Sequence, residues 1–485
     1  MRKNSLNKRE TDRALENSIK DGSATGAASG MISTYLTPFA LALGVSAAQI
    51  GLLTAVPQLI STLMQPLAGT FTEHAESRKN ICKVFMLIAR LAWIPVMLLS
   101  FARGFDTFAL LLLFVSVSAA AASFARLAWT SWIGELVPEK IRGRYFGKRN
   151  MFIGAASFIS VLLAGWILVN SDTMAGFALI FLSALILYFV GMRYLMKMPE
   201  PSAEKHKMHR VPPNTRESKA FGMPRMKVLS IYEFLSSLKK SNFRHFMLFS
   251  IFFDFSVYLA APFFTVYMIS ELQVGYLWFA VISAASILAG LLSQKYWGRL
   301  SDKYGDKNIM VICAALTSFF PLIMVFSRSV PLLVLANVFS GFAWAGFDLA
   351  VFNFLLDSSP PLKRPLFISN YQFFDGLAVV GGSIAGGTLI YLFGSGFFWL
   401  SAISAVFLLS FALRAIFSLA LIPRIREERI KRKTLSAGDV FKRAVVLYPA
   451  RGISHEIDYA HRCLSCWEEK VKKEMKGAAK VVGVA

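Results

Sequence analysis

Acidic residues are scarce in this chain: 29 Asp and Glu stand against 52 Lys and Arg in 485 residues, and charged residues make up only 17%. A soluble domain carries about 25% charge, so an ordinary water-facing surface cannot be built from this composition. Cysteine is rarer still. Cys82, Cys313, Cys463 and Cys466 form no disulfide framework, which excludes a small secreted scaffold. Residues 1–24 lack an apolar core segment, so no cleavable signal peptide is expected, and they read as a polar cytoplasmic segment. Catalytic motifs are missing as well. There is no Gly-x-Ser-x-Gly, no phosphate loop ending in Gly-Lys-Ser/Thr, and His455-Glu456 lacks the second histidine of a metalloprotease helix. Neither an enzyme nor an ATP-driven pump is expected, and no cofactor or metal.

What is abundant is hydrophobicity, at 55% of residues with a mean hydropathy of +0.53. Apolar runs of spanning length fall near 25–44, 49–70, 81–102, 106–136, 150–170 and 174–197. A second set falls near 245–270, 274–296, 309–327, 331–356, 367–394 and 396–423. Each is long enough for a helix crossing a hydrocarbon core of about 30 Å. The polar stretch 198–244 joins two bundles, 25–197 and 245–423, and a basic tail, 424–485, follows.

Lys and Arg concentrate in alternate connections: Arg78, Lys79 and Lys83; Lys140, Arg142, Arg144, Lys148 and Arg149; Lys295, Arg299, Lys303 and Lys307. The other connections hold almost none. The positive-inside bias then places those loops, the linker and both termini in the cytoplasm of a multi-pass protein of the cell membrane. It also accounts for the basic excess without nucleic acid.

The halves repeat in sequence. An offset of 224 carries Pro38-Phe39 onto Pro262-Phe263; 229 carries Gly69, Glu73 and Arg78 onto Gly298, Asp302 and Lys307; 222 carries Glu135, Pro138 and Arg142 onto Asp357, Pro360 and Arg364. Two six-helix halves in the same orientation imply a pseudo-two-fold axis along the membrane normal and a site between them.

The run Gly298-Arg299-Leu300-Ser301-Asp302-Lys303-Tyr304-Gly305-Asp306-Lys307 resembles the signature loop of the major facilitator superfamily, with Asp306 where a base is usual. Gly69-Thr70-Phe71-Thr72-Glu73 followed by Arg78-Lys79 is its degenerate first-half copy, and Glu135 to Arg144 is similar to the family's stretch after the fourth span. The resemblance implies an all-α fold of twelve transmembrane helices and a secondary transporter working by alternating access. It also implies a cytoplasmic gate at Gly69, Glu73, Arg78, Glu135, Arg142, Gly298, Asp302, Lys307, Asp357 and Arg364. There the glycines would let helices approach closely, and the carboxylates would pair with Arg or helix N-termini.

Six ionisable residues fall within the spans: Arg90, Arg126, Asp254, Asp348, Asp375 and Arg414, each roughly 13 Å from the basic end of its helix. An unpaired charge at such depth costs at least ~2.5–3.5 kcal/mol, so each needs a partner or a watery cavity. Arg126 maps onto Asp348 at an offset of 222. By resemblance the first, fourth, seventh and tenth spans line the cavity, which gathers Arg126, Trp129, Asp254, Tyr258 and Asp348. Arg126 would hold an anionic group or neutralise an acid, and Asp348 or Asp254 would be the proton-coupling carboxylate. Asp375 and Arg414, on successive spans, read as a pair within one bundle; the alternative is that Asp375 faces the cavity with Tyr371 and Gln372, one turn before it, as a further substrate or proton-coupling residue. Arg90 has no acid at its level in the first half and is expected to reach polar backbone or a lipid headgroup.

The expected substrate is a small polar or anionic organic solute, with protons and membrane lipid as the other partners and the monomer as the working unit. The alternative is an efflux antiporter, disfavoured because Ser116 stands where such members carry Arg and because 150–170 lacks proline. A membrane enzyme or sensor on the same scaffold is the remaining rival. In the tail, Ile453, Ile457, Ala460, Leu464, Trp467 and Val471 make one apolar stripe, as would an amphipathic helix lying on the inner membrane face or packed on the cytoplasmic side of the bundle or on a partner. His455, His461, Cys463 and Cys466 lack the separation of zinc-finger pairs.

Overall fold

The computed structural model describes residues 8–74, 77–101, 106–138, 141–200, 242–359, 364–394 and 400–427. The tail stripe, the His/Cys group and most of the linker lie outside them. The described chain is helical: α1 (Lys8–Ala42), α2 (Ala47–His74), α3 (Arg78–Leu91), α4 (Trp93–Leu98), α5 (Thr107–Leu136), α6 (Arg142–Val169) and α7 (Thr173–Met196) form the first half. The second comprises α8 (Asn242–Ala260), α9 (Phe263–Val266), α10 (Tyr276–Tyr304), α11 (Asp306–Phe326), α12 (Val330–Ser358), α13 (Arg364–Phe393) and α14 (Ala402–Leu421). Among the described residues, 11 helical segments are long and apolar enough to cross a membrane. The chain is a multi-pass membrane protein.

Local chemistry sets the boundaries. Ser46 and Gln49 cap α2 reciprocally, through Ser46 N–H to Gln49 Oε1 at 2.9 Å and Gln49 N–H to Ser46 Oγ at 3.3 Å. Two spans expected as single runs are broken. Pro95 has no N–H for the carbonyl of Leu91, where α3 ends. Pro262 likewise separates α8 from α9, which continues as a π-turn over Tyr267–Glu271. α1 is the long exception. It begins at Lys8, well before its apolar run, so the polar residues before 25 are already helical.

Packing repeats as the sequence does. α1 lies on α6 and α7 as α8 lies on α13 and α14; α5 packs on α2 and α3 as α12 packs on α10 and α11. The halves join symmetrically, α2 against α13 and α6 against α10. One hydrophobic cluster spans both halves at the end away from the basic loops, drawing Phe39 and Phe177 from one and Phe263 and Phe279 from the other. Toward the basic end the core divides. Phe246, Trp297 and Phe354 belong to one cluster in the second half, Trp132, Leu136 and Tyr145 to a separate one in the first. The bundles are therefore sealed at one end and apart at the basic end.

Candidate functional site

Beneath the sealed end lies a cavity of about 710 Å³. Its wall is built mainly by the second half: Asp254, Tyr258 and Thr265 from the α8–α9 segment, Ser283 and Ser286 from α10, Asn337, Trp344 and Asp348 from α12, Tyr371 and Asp375 from α13. The first half contributes Ser33 and Thr34 of α1. Such a volume is typical of pockets for small organic molecules.

Three of the expected site residues become one cluster here. The carboxyls of Asp254 and Asp375 meet within hydrogen-bonding range across the α8–α13 contact, with Asp348 and Arg414 in their electrostatic neighbourhood. Asp375 Oδ1 is closed off from solvent and accepts no hydrogen bond from an N–H or hydroxyl among the described residues. Asp348 is exposed on the α12 wall, one helical turn from Trp344. Tyr258, one turn beyond Asp254, lines the same wall.

Arg414 forms no pair with Asp375 of the kind expected from their equal depth. It is 1% exposed, and Nε donates to Ser410 Oγ at 3.0 Å, Nη1 to Thr317 O at 2.9 Å and Nη2 to Val257 O at 3.2 Å. Three carbonyl or hydroxyl acceptors from three helices fix it at the cavity wall, where its charge bears on Asp254. Sequence depth could not show this, because the acceptors are backbone carbonyls.

Arg126 and Trp129 are not among the cavity-lining residues. Arg126 is exposed on α5, and Trp129 lies under the guanidinium of Arg149, 4.4 Å from Cζ to the ring centroid. The bundles stand apart at that level, so the positions of Arg126 and Asp348, equivalent in the repeat, do not meet in this conformation. Arg90 does reach backbone, donating from Nη1 to Tyr188 O at 2.6 Å, and from Nη2 to Thr25 Oγ1 at 3.3 Å. It also has an acid near it. Thr25 Oγ1 donates to Asp21 Oδ1 at 3.3 Å, and Asp21, 2% exposed, feels both Arg90 and Arg149. The sequence reading missed Asp21 because it began the first helix at residue 25.

At the basic end, a Cβ on Gly69 would meet open space, and on Gly298 only Leu349 Cδ2 at 3.9 Å. Neither glycine is at a close helix approach in this open arrangement, contrary to expectation. Asp302 and Asp357 are exposed, and Glu73, Glu135, Arg142 and Arg364 are helical residues. Asp306, the apparent departure from the signature, is 1% exposed at the start of α11, hydrogen-bonded by Ser301 Oγ and by Asn353 Nδ2 at 3.1 Å. It ties α10, α11 and α12 together.

A second device went unread. The Lys79 N–H donates to Glu200 Oε1 at 3.1 Å and the Lys307 N–H to Glu427 Oε2 at 3.0 Å. Each carboxylate follows the last helix of its half and meets the N-terminus of the third, where the helix dipole favours an anion. An offset of 227 relates Glu200 to Glu427 and was the available signal.

The sequence model described as Major Facilitator Superfamily matches residues 22–253 and again 246–453. The chain belongs to the Major Facilitator Superfamily. No curated protein matches it in sequence. Among solved structures, a mutant of the nucleoside transporter NupG is similar over 85% of this chain and 100% of that one, at 14% identity and a TM-score of 0.66. A D-xylose-proton symporter covers 88% of this chain and 99% of its own, at 15% identity and a TM-score of 0.63. The xylose transporter XylE from E. coli in an inward open conformation covers 87% and 97%, at 15% identity and a TM-score of 0.62. At such identities these structures share the superfamily fold with the chain.

Proposed function

We propose that the chain is a proton-coupled secondary transporter of a small organic solute, working by alternating access across the cell membrane with the basic end, both termini and the linker in the cytoplasm. The observation that carries the coupling is the contact between the Asp254 and Asp375 carboxyls on a cavity wall. Two carboxylates in contact cannot both stay charged cheaply away from bulk water, and one shared proton turns their repulsion into a hydrogen bond. The groups facing the pair are Asp348, Tyr258, Tyr371 and Arg414. Of these only Arg414 opposes the negative charge, and it is anchored to carbonyls.

Transport follows from the seal. With the bundles joined at one end and parted at the other, solute enters from the basic end. Rocking about the α2–α13 and α6–α10 contacts would close that end around Asp302 and Glu73 and open the other. An anionic solute, expected from Arg126, fits poorly, because the cavity presents three carboxyls and Arg126 stands outside it. The chemistry is binding and release, with no covalent change of the solute.

The test begins with a thermal-shift screen of metabolites and continues with flux of the hit into proteoliposomes. An imposed pH gradient should drive accumulation by the native chain. Asp375→Asn should lose accumulation and keep solute exchange. Undiminished accumulation in Asp375→Asn and Asp254→Asn alike would remove the pair from coupling.

A further inference from the structure

The cavity's charge is unbalanced toward the negative in a way that bears on what it holds. Asp254, Asp348 and Asp375 all line it, and the first half supplies only the uncharged Ser33 and Thr34. Among the described residues Arg414 is the one guanidinium at the wall, and its Nε, Nη1 and Nη2 each donate a hydrogen bond, to Ser410, Thr317 and Val257. With one proton shared by Asp254 and Asp375, and Arg414 counted, the wall retains a single net negative charge. That charge is carried where the cavity is open: Asp348 is the exposed member of the three.

The surroundings of Asp348 are aromatic. Trp344 precedes it by four residues, hence on the same face of α12, and both line the cavity. Phe347 meets the Trp344 ring edge-on, with centroids 5.5 Å apart, which fixes the indole. Tyr258 of α8 lines the same cavity. A carboxylate one helical turn from an indole on a cavity wall suits an organic cation: the charge would be neutralised by Asp348 and the apolar body would lie against the ring, an arrangement worth more as water is excluded. A neutral polyol would leave Asp348 charged and uncompensated, and an anion would add to the repulsion.

Resting on the transporter reading above, we propose that the transported solute is an organic monocation, an ammonium- or phosphonium-type ion with an apolar body, held by Asp348 and Trp344 on the α12 wall. The Asp254–Asp375 pair is a separate locus, left for the proton. The two halves of the mechanism are therefore divided between neighbouring helices of one bundle.

Charge isosteres decide this. The purified full chain in detergent is heated with tetraphenylphosphonium or tetraphenylborate, and with choline or 3,3-dimethylbutan-1-ol. The expected result is a raised melting temperature with at least one cation and none with its anionic or neutral counterpart. Asp348→Asn should abolish the shift and Asp348→Glu should restore it. Trp344→Leu should weaken binding by roughly two- to thirtyfold. A shift from the uncharged or anionic member equal to that of its cation, no shift with either cation, or a cation shift that survives Asp348→Asn would each overturn the assignment. Proteoliposomes with an internal pH dye separate this from the coupling. Proton movement driven by a neutral solute would sink the cation assignment and leave coupling standing. A cation that is bound and carried with no proton movement would do the reverse.

Discussion

Gly51 is where the seal between the halves is tightest on backbone. A Cβ there would lie 2.6 Å from the Ser383 carbonyl oxygen of α13 and 3.3 Å from both Gly387 Cα and Phe263 Cζ. Backbone cannot rotate away, so Gly51→Ala requires α2 and α13 to separate by roughly 0.8 Å before the contact becomes ordinary. Overpacking of this kind costs about 1–3 kcal/mol. The clash exists only while the halves are closed on that side, so the penalty falls on this conformation and not on its alternative. A differential of that size multiplies the population of the other state about 5- to 150-fold. The assay is labelling of Thr34→Cys, inside the cavity, in a chain whose four native cysteines are replaced by alanine, with an impermeant maleimide applied to either face of the membrane. The native backbone at Gly51 should label fast from the basic side, and Gly51→Ala should gain labelling from the far side by that factor. Gly386→Ala is the control. Its Cβ abuts the Leu259 carbonyl oxygen, but α13 and α8 belong to the same bundle, so stability should fall with no change of sidedness. Unaltered labelling in Gly51→Ala, or an equal change in Gly386→Ala, would refute the argument.

Other perturbations follow from the same contacts. Arg414→Met strips three acceptors of their donor at a site 1% exposed and should cost about 2–4 kcal/mol, read as a lower melting temperature in detergent. Asp21→Asn leaves Arg90 and Arg149 without their acid. A double-mutant cycle of Asp21→Asn with Arg90→Leu should show a coupling of roughly 1–3 kcal/mol, whereas additive losses would mean the two groups ignore each other. Glu200→Gln and Glu427→Gln should each loosen a helix cap by about 1 kcal/mol, seen as faster amide exchange at Lys79 and Lys307.

The helical repeat was readable because bilayer thickness forces long apolar runs and charge bias separates their ends. Those constraints act on composition, which a sequence displays openly. The fate of individual charges was not readable to the same degree. Asp254, Asp348 and Asp375 could be singled out as intramembrane acids because apolar surroundings make any charge conspicuous. Their contact depends on the rotation of α8 against α13, which hydropathy does not encode. Arg414 was mispaired because its real partners, Thr317 O and Val257 O, are backbone and leave no trace in residue identity. Asp21 was lost to a boundary: polar residues before an apolar run look like a tail until the helix is seen to begin at Lys8. Arg126 and Asp348 occupy matching places in the repeat, yet only one faces the cavity, because the parted bundles hold their inner walls away from each other.

Asp302 and Asp306 offer a last discrimination between a fixed brace and a moving latch. The signature loop directs attention to Asp302, which is exposed at the basic end of α10. Asp306 is the buried one, receiving Ser301 Oγ–H and Asn353 Nδ2–H, and so joins three helices that remain together whichever way the halves rock. Its loss is felt equally in every conformation. Asp306→Ala should therefore lower the melting temperature, by about 1–3 kcal/mol for the stranded polar partners, and leave the sidedness of Thr34→Cys labelling unchanged. A latch behaves oppositely: it matters most when the basic end closes, so Asp302→Asn should reduce labelling of Thr34→Cys from the far side. If Asp306→Ala shifts sidedness, or Asp302→Asn lowers stability without touching it, the roles assigned to the two carboxylates are reversed.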